Sequence, residues 1–175
     1  EYTHMISPSA FCTEKLISAF GLDQLNKENI MIEKGYPRND MLINATPDDI
    51  NRLKKQYGIP EGKKVILYAP TFRDNQRGKN NTGFSYSLNL DFDRFLEKVG
   101  EDVVILFRTH YFVATRFAFD KCDGRIINVS EVDDINELYL IADRMITDYS
   151  SVMFDYSLLH RPMYYYCYDL DAYRD

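Results

Sequence analysis

The chain has little cysteine. Three residues, Cys12, Cys122 and Cys167, lie far apart in 175. An odd number at such spacing excludes a disulfide framework and a CxxC metal knuckle, and a reducing compartment is the simpler setting. No apolar run approaches the roughly 20 residues that a membrane-crossing helix needs, and the start at Glu1 lacks the basic-then-apolar layout of a signal peptide. A basic excess is missing too. With 21 Lys and Arg against 27 Asp and Glu, the net charge is −6, so a general nucleic-acid surface is excluded and any phosphate site must be local. No GxGxxG or GxxxxGKS/T follows a strand-like run, which leaves the dinucleotide-binding fingerprint and the P-loop unsupported. A serine-nucleophile elbow is missing as well. His4 and His160 have no partners at ligand spacing, so no metal site is expected. Internal repeats and low-complexity tracts are absent.

What is present is 45% hydrophobic, enough for a real core. Thr13, Leu16, Ile17 and Phe20 recur at helical spacing before Gly21, which predicts an amphipathic helix over residues 9–20 with a glycine cap. Ile30-Met31-Ile32 reads as a short strand running into the polar loop Gly35-Tyr36-Pro37-Arg38-Asn39-Asp40. Thr46 as N-cap, Pro47 at the first helical position and two acids in the first turn start a second helix that Gly58 ends. The stretch 57–62, with two Gly and one Pro, is the natural hinge, so residues 1–58 are assigned to the end of one domain and 59–175 to a second.

Beyond the hinge, apolar strands are predicted at 64–69, 103–107, 126–129, 145–146 and 163–168. Helices are predicted at 91–99, from a Ser130 cap to Ala142, and at 151–159. The strands are too uniformly apolar for a one-sided sheet. Their alternation with helices implies an α/β fold with a Rossmann-like, doubly wound parallel sheet. The tyrosines Tyr164, Tyr165 and Tyr166 fall in the last strand and are expected to pack in the core and at the sheet edge.

Ligands of open parallel sheets bind beyond the carboxyl ends of the strands. Here those ends are polar: Pro70-Thr71-Phe72-Arg73-Asp74, Arg108-Thr109-His110-Tyr111 and Thr147-Asp148-Tyr149-Ser150-Ser151. At the last of these, the N–H groups of a starting helix and two serine hydroxyls fit a diphosphate; simple N-capping by Ser150 or Ser151 is the competing reading. Arg73, Arg108 and His110 can supply the positive charge that phosphoryl transfer requires, and His110 can also carry a proton. Ordinary surface ion pairs and a packed histidine remain open alternatives. Asp155, one turn into the helix after Ser151, either orients a ligand or serves the helix dipole. Arg38 and Asp40 either contact an acceptor or hold a turn through an internal ion pair.

Four strings taken together, Gly35 to Asp40, Val65 to Asp74, Arg108 to His110 and Ile146 to Asp155, resemble in order and spacing the CDP-glycerol glycerophosphotransferase family. The Arg161-Pro162 and Tyr168-Asp169-Leu170 segments extend the likeness. The resemblance implies a GT-B architecture, with residues 59–175 as the CDP-donor-binding domain, incomplete at its C-terminus, and residues 1–58 as the end of the acceptor-side domain. It implies transfer of glycerol phosphate from CDP-glycerol, a substrate and not a cofactor, to a hydroxyl of a lipid-linked polyol-phosphate acceptor, with CMP leaving. Ser150 and Ser151 would hold the donor phosphates, with Thr71, Asp148 and Tyr149 beside them. Arg73, Arg108 and His110 would neutralise developing charge, Asp155 would bind or orient, and Arg38 and Asp40 would face the acceptor. The setting implied is cytoplasmic, peripheral at the inner face of the bacterial membrane, with membrane contact made by parts outside this chain. A GT-B glycosyltransferase or epimerase using another nucleotide-sugar is the alternative, since fold does not fix the donor; a non-catalytic binding module is a second.

Members of that family carry a His-Gly-Thr motif, the usual assignment of the general base, ahead of the region matched here, and these 175 residues do not contain it. The chain by itself is therefore expected to bind nucleotide weakly and to turn over little or nothing. A radiolabelled-donor assay checks this: background-level incorporation is the expected outcome, and robust polymer formation would contradict it.

Overall fold

The structure is a computed structural model and describes residues 2–71, 90–109 and 124–174. Arg73, His110, Cys122 and the polar stretch 73–89 lie outside the described residues. The chain forms two compact units, Glu1–Asn44 and Ala45–Asp175.

In the first unit, β1 (Met5–Ser7) pairs in parallel with β2 (Met31–Glu33), and α1 (Ala10–Ala19) connects them. Ser9 caps α1 by accepting the Cys12 N–H at 3.3 Å. Past the helix end, Gly21 takes a φ of +60°, a left-handed conformation that glycine adopts without strain, as the sequence predicted. β1 was not predicted, because three residues are too few to show a period. The polar loop also holds more structure than its turn residues suggested. Pro37–Asn39 form a 3-10 turn that leads directly into α2 (Asp40–Asn44).

In the second unit, α3 (Pro47–Gln56) starts with a capping box. Thr46 Oγ1 accepts the Asp49 N–H at 3.2 Å, and the Asp49 carboxyl accepts the Thr46 N–H at 3.0 Å. The Thr46 hydroxyl, donating to the Asp49 carboxyl at 2.6 Å, and then the Thr46 N–H hold that carboxyl below its usual range. The predicted hinge at 58/59 is not where the compact units divide. Leu53 of α3 is buried, and Tyr57, just past α3, donates its hydroxyl to Glu137 in a helix of the second unit. Burial, reinforced by Glu137, pushes the Tyr57 phenol up to about 12, so it remains a donor.

That unit is built on five parallel strands, β3 (Lys64–Tyr68), β4 (Val103–Phe107), β5 (Ile126–Asn128), β6 (Arg144–Thr147) and β7 (Met163–Tyr165), in the order β5-β4-β3-β6-β7. The helices are α4 (Phe92–Val99), α5 (Ile135–Ile141), α6 (Val152–Tyr156) and α7 (Leu170–Arg174). Alternation along the strands sends Ile66, Tyr68, Val103, Ile105 and Phe107 to one face, where Phe92, Phe95, Leu96 and Val99 of α4 cover them. Phe92 meets Tyr68 and Phe107 edge-on at 5.8 and 5.9 Å. Val65, Leu67 and Leu106, the alternate residues, are also fully buried, with α5 packed against β3 on that side. Each such side chain contributes roughly 1.5–3 kcal/mol of burial, which is why these strands carry no polar residue in their interior.

Two elements differ from the sequence reading. The helix predicted from Ser130 begins at Ile135, because Asp134 is the residue that caps it, accepting the Asn136 N–H at 2.9 Å. Ser130 instead accepts the Thr109 N–H at 3.1 Å. β7 ends at Tyr165 and is an edge strand, so the tyrosines do not enter the core: Tyr164 and Tyr165 are about half exposed, at 51% and 52%. Among the described residues no helix is long and apolar enough to cross a membrane.

Arginines close two helix ends. Arg125 donates to Leu96 O and Gly100 O at the end of α4, both at 3.3 Å. Arg161 donates through one terminal nitrogen to Tyr139 O, Leu140 O and Ala142 O at 3.2, 2.8 and 2.6 Å. A cation here meets the negative end of the α5 dipole and the carbonyls of its last turn, of which Ala142 O also accepts the Tyr156 hydroxyl at 3.0 Å. Replacing Arg161 with alanine is expected to lower stability by about 1.5–3 kcal/mol, with the midpoint of urea unfolding as the readout; a midpoint equal to that of the unchanged protein would contradict this capping role.

Candidate functional site

The order of the sheet defines where a ligand can enter. From β3 the chain moves outward through β4 to β5, then returns to the other side of β3 with β6 and continues to β7. The direction of winding reverses between β3 and β6, and a crevice opens beyond their carboxyl ends. The last bond between β3 and the β4 chain runs from Arg108 N–H to Tyr68 O at 2.9 Å, and Pro70 has no N–H to continue that ladder.

On the β6 side the two strand ends stay joined. Ala69 N–H donates to Ile146 O at 2.9 Å, and the Thr147 hydroxyl donates to Ala69 O at 2.8 Å. Asp148 then completes the junction. It is 5% exposed, and its Oδ1 accepts the Thr71 N–H at 2.8 Å, the Thr71 hydroxyl at 2.6 Å and the Tyr149 N–H at 2.7 Å. Thr71, Asp148 and Tyr149 are thus brought into direct contact, with Asp148 as the brace between them.

Ser150 and Ser151 follow this brace on a half-buried to exposed turn leading into α6. The capping alternative for Ser151 is not realised, since it sits in helical conformation and its side chain makes no capping bond. Asp155 lies within α6 and is half-buried. Tyr149 is held from the other side. Its ring stacks on that of Tyr173 at 3.8 Å and 12°, and its hydroxyl donates to Asp169 at 3.2 Å.

Arg108 leaves the β4 end on the opposite face from Phe107. It spends a terminal nitrogen on Val129 O at 3.1 Å and Val132 O at 2.7 Å. Burial lowers its pKa, and the two carbonyls compensate part of the lost hydration. Arg38 and Asp40 belong to the other compact unit. The Arg38 guanidinium lies 4.1 Å over the Tyr36 ring, and Asp40 opens α2, its carbonyl accepting the Asn44 amide at 2.9 Å. Residues to which the sequence reading gave no site role also hold these side chains: Ser130, which pins Thr109, and the pair Asp169 and Tyr173, which hold Tyr149. Single polar residues in loops give no periodic signal, so only the fold reveals these partnerships.

Comparison with known proteins covers the whole of this arrangement. Residues 1–175 match the profile of the CDP-glycerol:poly(glycerophosphate) glycerophosphotransferase family. The chain is 41% identical over 176 residues to a teichoic acid glycerol-phosphate transferase of Staphylococcus aureus (strain NCTC 8325), covering 99% of this chain and 43% of that protein. It is 41% identical over 178 residues to a teichoic acid poly(glycerol phosphate) polymerase of Bacillus subtilis (strain 168), covering 99% of this chain and 23% of that one. Among solved structures, a variant of the wall teichoic acid polymerase TagF soaked with CDPG superposes with a TM-score of 0.88 at 40% identity, over 98% of this chain and 41% of that chain. The α/β fold with its parallel sheet is therefore that of the corresponding part of TagF, of the GT-B class. The chain spans less than half the length of each of these relatives. With its full length matched and its fold shared, the chain belongs to the CDP-glycerol:poly(glycerophosphate) glycerophosphotransferase family.

Proposed function

We propose that this chain is the donor-side part of an enzyme that transfers glycerol phosphate from CDP-glycerol to a hydroxyl of a lipid-linked teichoic-acid acceptor. The observation that carries this reading is the junction at the switch point. Asp148 clamps Thr71 to the β6 end, and the Ser150-Ser151 turn follows directly, its hydroxyls without hydrogen bonds inside the described residues. A diphosphate entering between β3 and β6 meets those hydroxyls in a rigid setting.

The chemistry requires little covalent work from the protein. The acceptor oxygen attacks the phosphorus that bears glycerol, the bond from that phosphorus to the bridging oxygen breaks, and CMP departs with the electron pair. The hydroxyl proton passes to a base. Of this chain's residues, Ser150 and Ser151 hold the donor phosphates, Asp148, Thr71 and Tyr149 fix the turn that presents them, and Asp155 orients the donor. Arg73 and His110, adjacent to two strand ends in the sequence, supply charge, and His110 is suited to move a proton. Arg108 contributes its charge at the β4 end while holding the Val129 and Val132 carbonyls. Arg38 and Asp40 serve the acceptor side. The enzyme works in the cytoplasm at the inner membrane face, with anchoring supplied by parts other than these residues.

Two outcomes are expected of the intact protein. CDP or CMP at about 100 times its dissociation constant raises the stability by about 2.7 kcal/mol, read as a thermal shift, whereas UDP and GDP leave the melting temperature unchanged; a preference for UDP or GDP would favour a nucleotide-sugar enzyme of the same fold instead. Replacing Ser150 and Ser151 together with alanine lowers kcat/KM for CDP-glycerol by about 10- to 100-fold, and full activity in that variant would remove these hydroxyls from the site.

A further inference from the structure

The chain that follows β7 folds back onto Tyr149. Tyr166 N–H donates to Thr147 O at 2.8 Å, which ties the start of that segment to the end of β6. Asp169, just before α7, and Tyr173 within it then meet Tyr149 in two different ways. The Tyr149 hydroxyl donates to Asp169 Oδ1 at 3.2 Å, and its ring stacks on that of Tyr173, the centroids 3.8 Å apart and the planes 12° from parallel. Asp169 and Tyr173 are four residues apart and are joined by the bond from Tyr173 N–H to Asp169 O at 2.9 Å. Both therefore lie on one side of the helical turn.

The two contacts restrain different motions. A stack fixes the tilt of the ring plane, and the hydroxyl bond fixes the ring along its own axis. The Tyr149 N–H is bound to Asp148 Oδ1 at 2.7 Å, so main chain and side chain of this residue are both held, and Ser150 comes next. The far end of the turn is fixed separately: Tyr156, the last residue of α6, is buried and donates its hydroxyl to Ala142 O at 3.0 Å. Ser150 and Ser151 lie between these anchors. Tyr173 is 47% exposed, so its stack adds little to the core of the sheet. What it does alter is where Tyr149 sits, and with it the direction in which the chain leaves the Asp148 brace.

We infer that Asp169 and Tyr173 are positioning residues of the donor site, acting through Tyr149 to set the direction in which the Ser150 and Ser151 hydroxyls face the diphosphate of the nucleotide donor. The inference rests on the donor reading proposed above and deepens it, by making the segment after β7 part of the site. Neither residue touches the ligand or takes part in bond making. Their effect is on binding. With the clasp open, the turn samples several directions, and a donor that fits one of them binds more weakly by the fraction of time the turn spends in the others.

The test uses the intact protein with CDP-glycerol as the probe, at a temperature well below the melting temperature of every variant. Tyr173→Ala removes the stack and is expected to raise KM for CDP-glycerol about three- to tenfold, with kcat close to its original value; Tyr173→Phe keeps the ring and retains the original KM. Tyr149→Phe, which keeps the ring and loses the hydroxyl that reaches Asp169, raises KM about two- to tenfold. An unchanged KM in Tyr173→Ala or in Tyr149→Phe, with or without a lower melting temperature, would overturn the inference, because that contact would then only hold α7 in place. A KM raised as much in Tyr173→Phe as in Tyr173→Ala would overturn it too, by showing that the stack is not the cause. If the unchanged protein does not bind CDP-glycerol, the donor reading falls and this inference falls with it.

Discussion

A buried carboxyl oxygen, Oδ1 of Asp148, receives three donors from the ends of two neighbouring strands, and the arrangement of the candidate site depends on it. A parallel sheet that reverses its winding leaves a crevice at its middle, and nothing in the ladder itself keeps the two lips of that crevice in register once the strands end. Pro70 makes the problem sharper by ending the ladder toward β4. Asp148 solves it toward β6, by taking both the backbone and the side chain of Thr71. Removing a carboxyl from water is expensive, and bonds of this kind return little net stability. What the brace contributes is geometry. The turn carrying Ser150 and Ser151 starts from a point that cannot drift relative to the β3 end.

The same economy governs the cations. Arg125 and Arg161 each close the C-terminal end of a helix, and Arg108 ties β4 to the turn before α5. In each case guanidinium N–H groups are matched to carbonyls at a helix or turn end. In a chain with a net charge of −6, positive charge committed to backbone carbonyls is not spread over the surface. A general field therefore does not favour an anionic ligand, and the proposed donor site relies on local donors at the switch point.

Much of this was legible in the sequence, for identifiable reasons. Strands such as Val103–Phe107 are apolar throughout because both faces are covered, and α3 announces itself through Thr46, Pro47 and Asp49. The polar strand ends followed from the sheet class, and so did the rim that joins Thr71 to Asp148. Other features depend on partners distant in sequence. Ser130 looked like a helix cap because hydroxyls cap helices, yet the fold brings Thr109 to it and leaves the cap to Asp134. The Tyr164 and Tyr165 rings were expected in the core and at the sheet edge because aromatic residues favour strands, and it is the edge that they occupy. The hinge at residues 57–62 was read from Gly and Pro content, which gives no sign of the bond from the Tyr57 hydroxyl to the distant Glu137. Propensity sees the residue; only packing sees what it meets.

The central claim is that the crevice between β3 and β6 is where the activated donor lies. A crystal structure of the protein soaked with CDP-glycerol tests it most directly. Diphosphate density is expected beyond the carboxyl ends of those two strands, within hydrogen-bonding distance of the Ser150 and Ser151 hydroxyls, with the Asp148 to Thr71 bonds intact. Density for the nucleotide at any other face of the sheet, with this crevice empty, would contradict it.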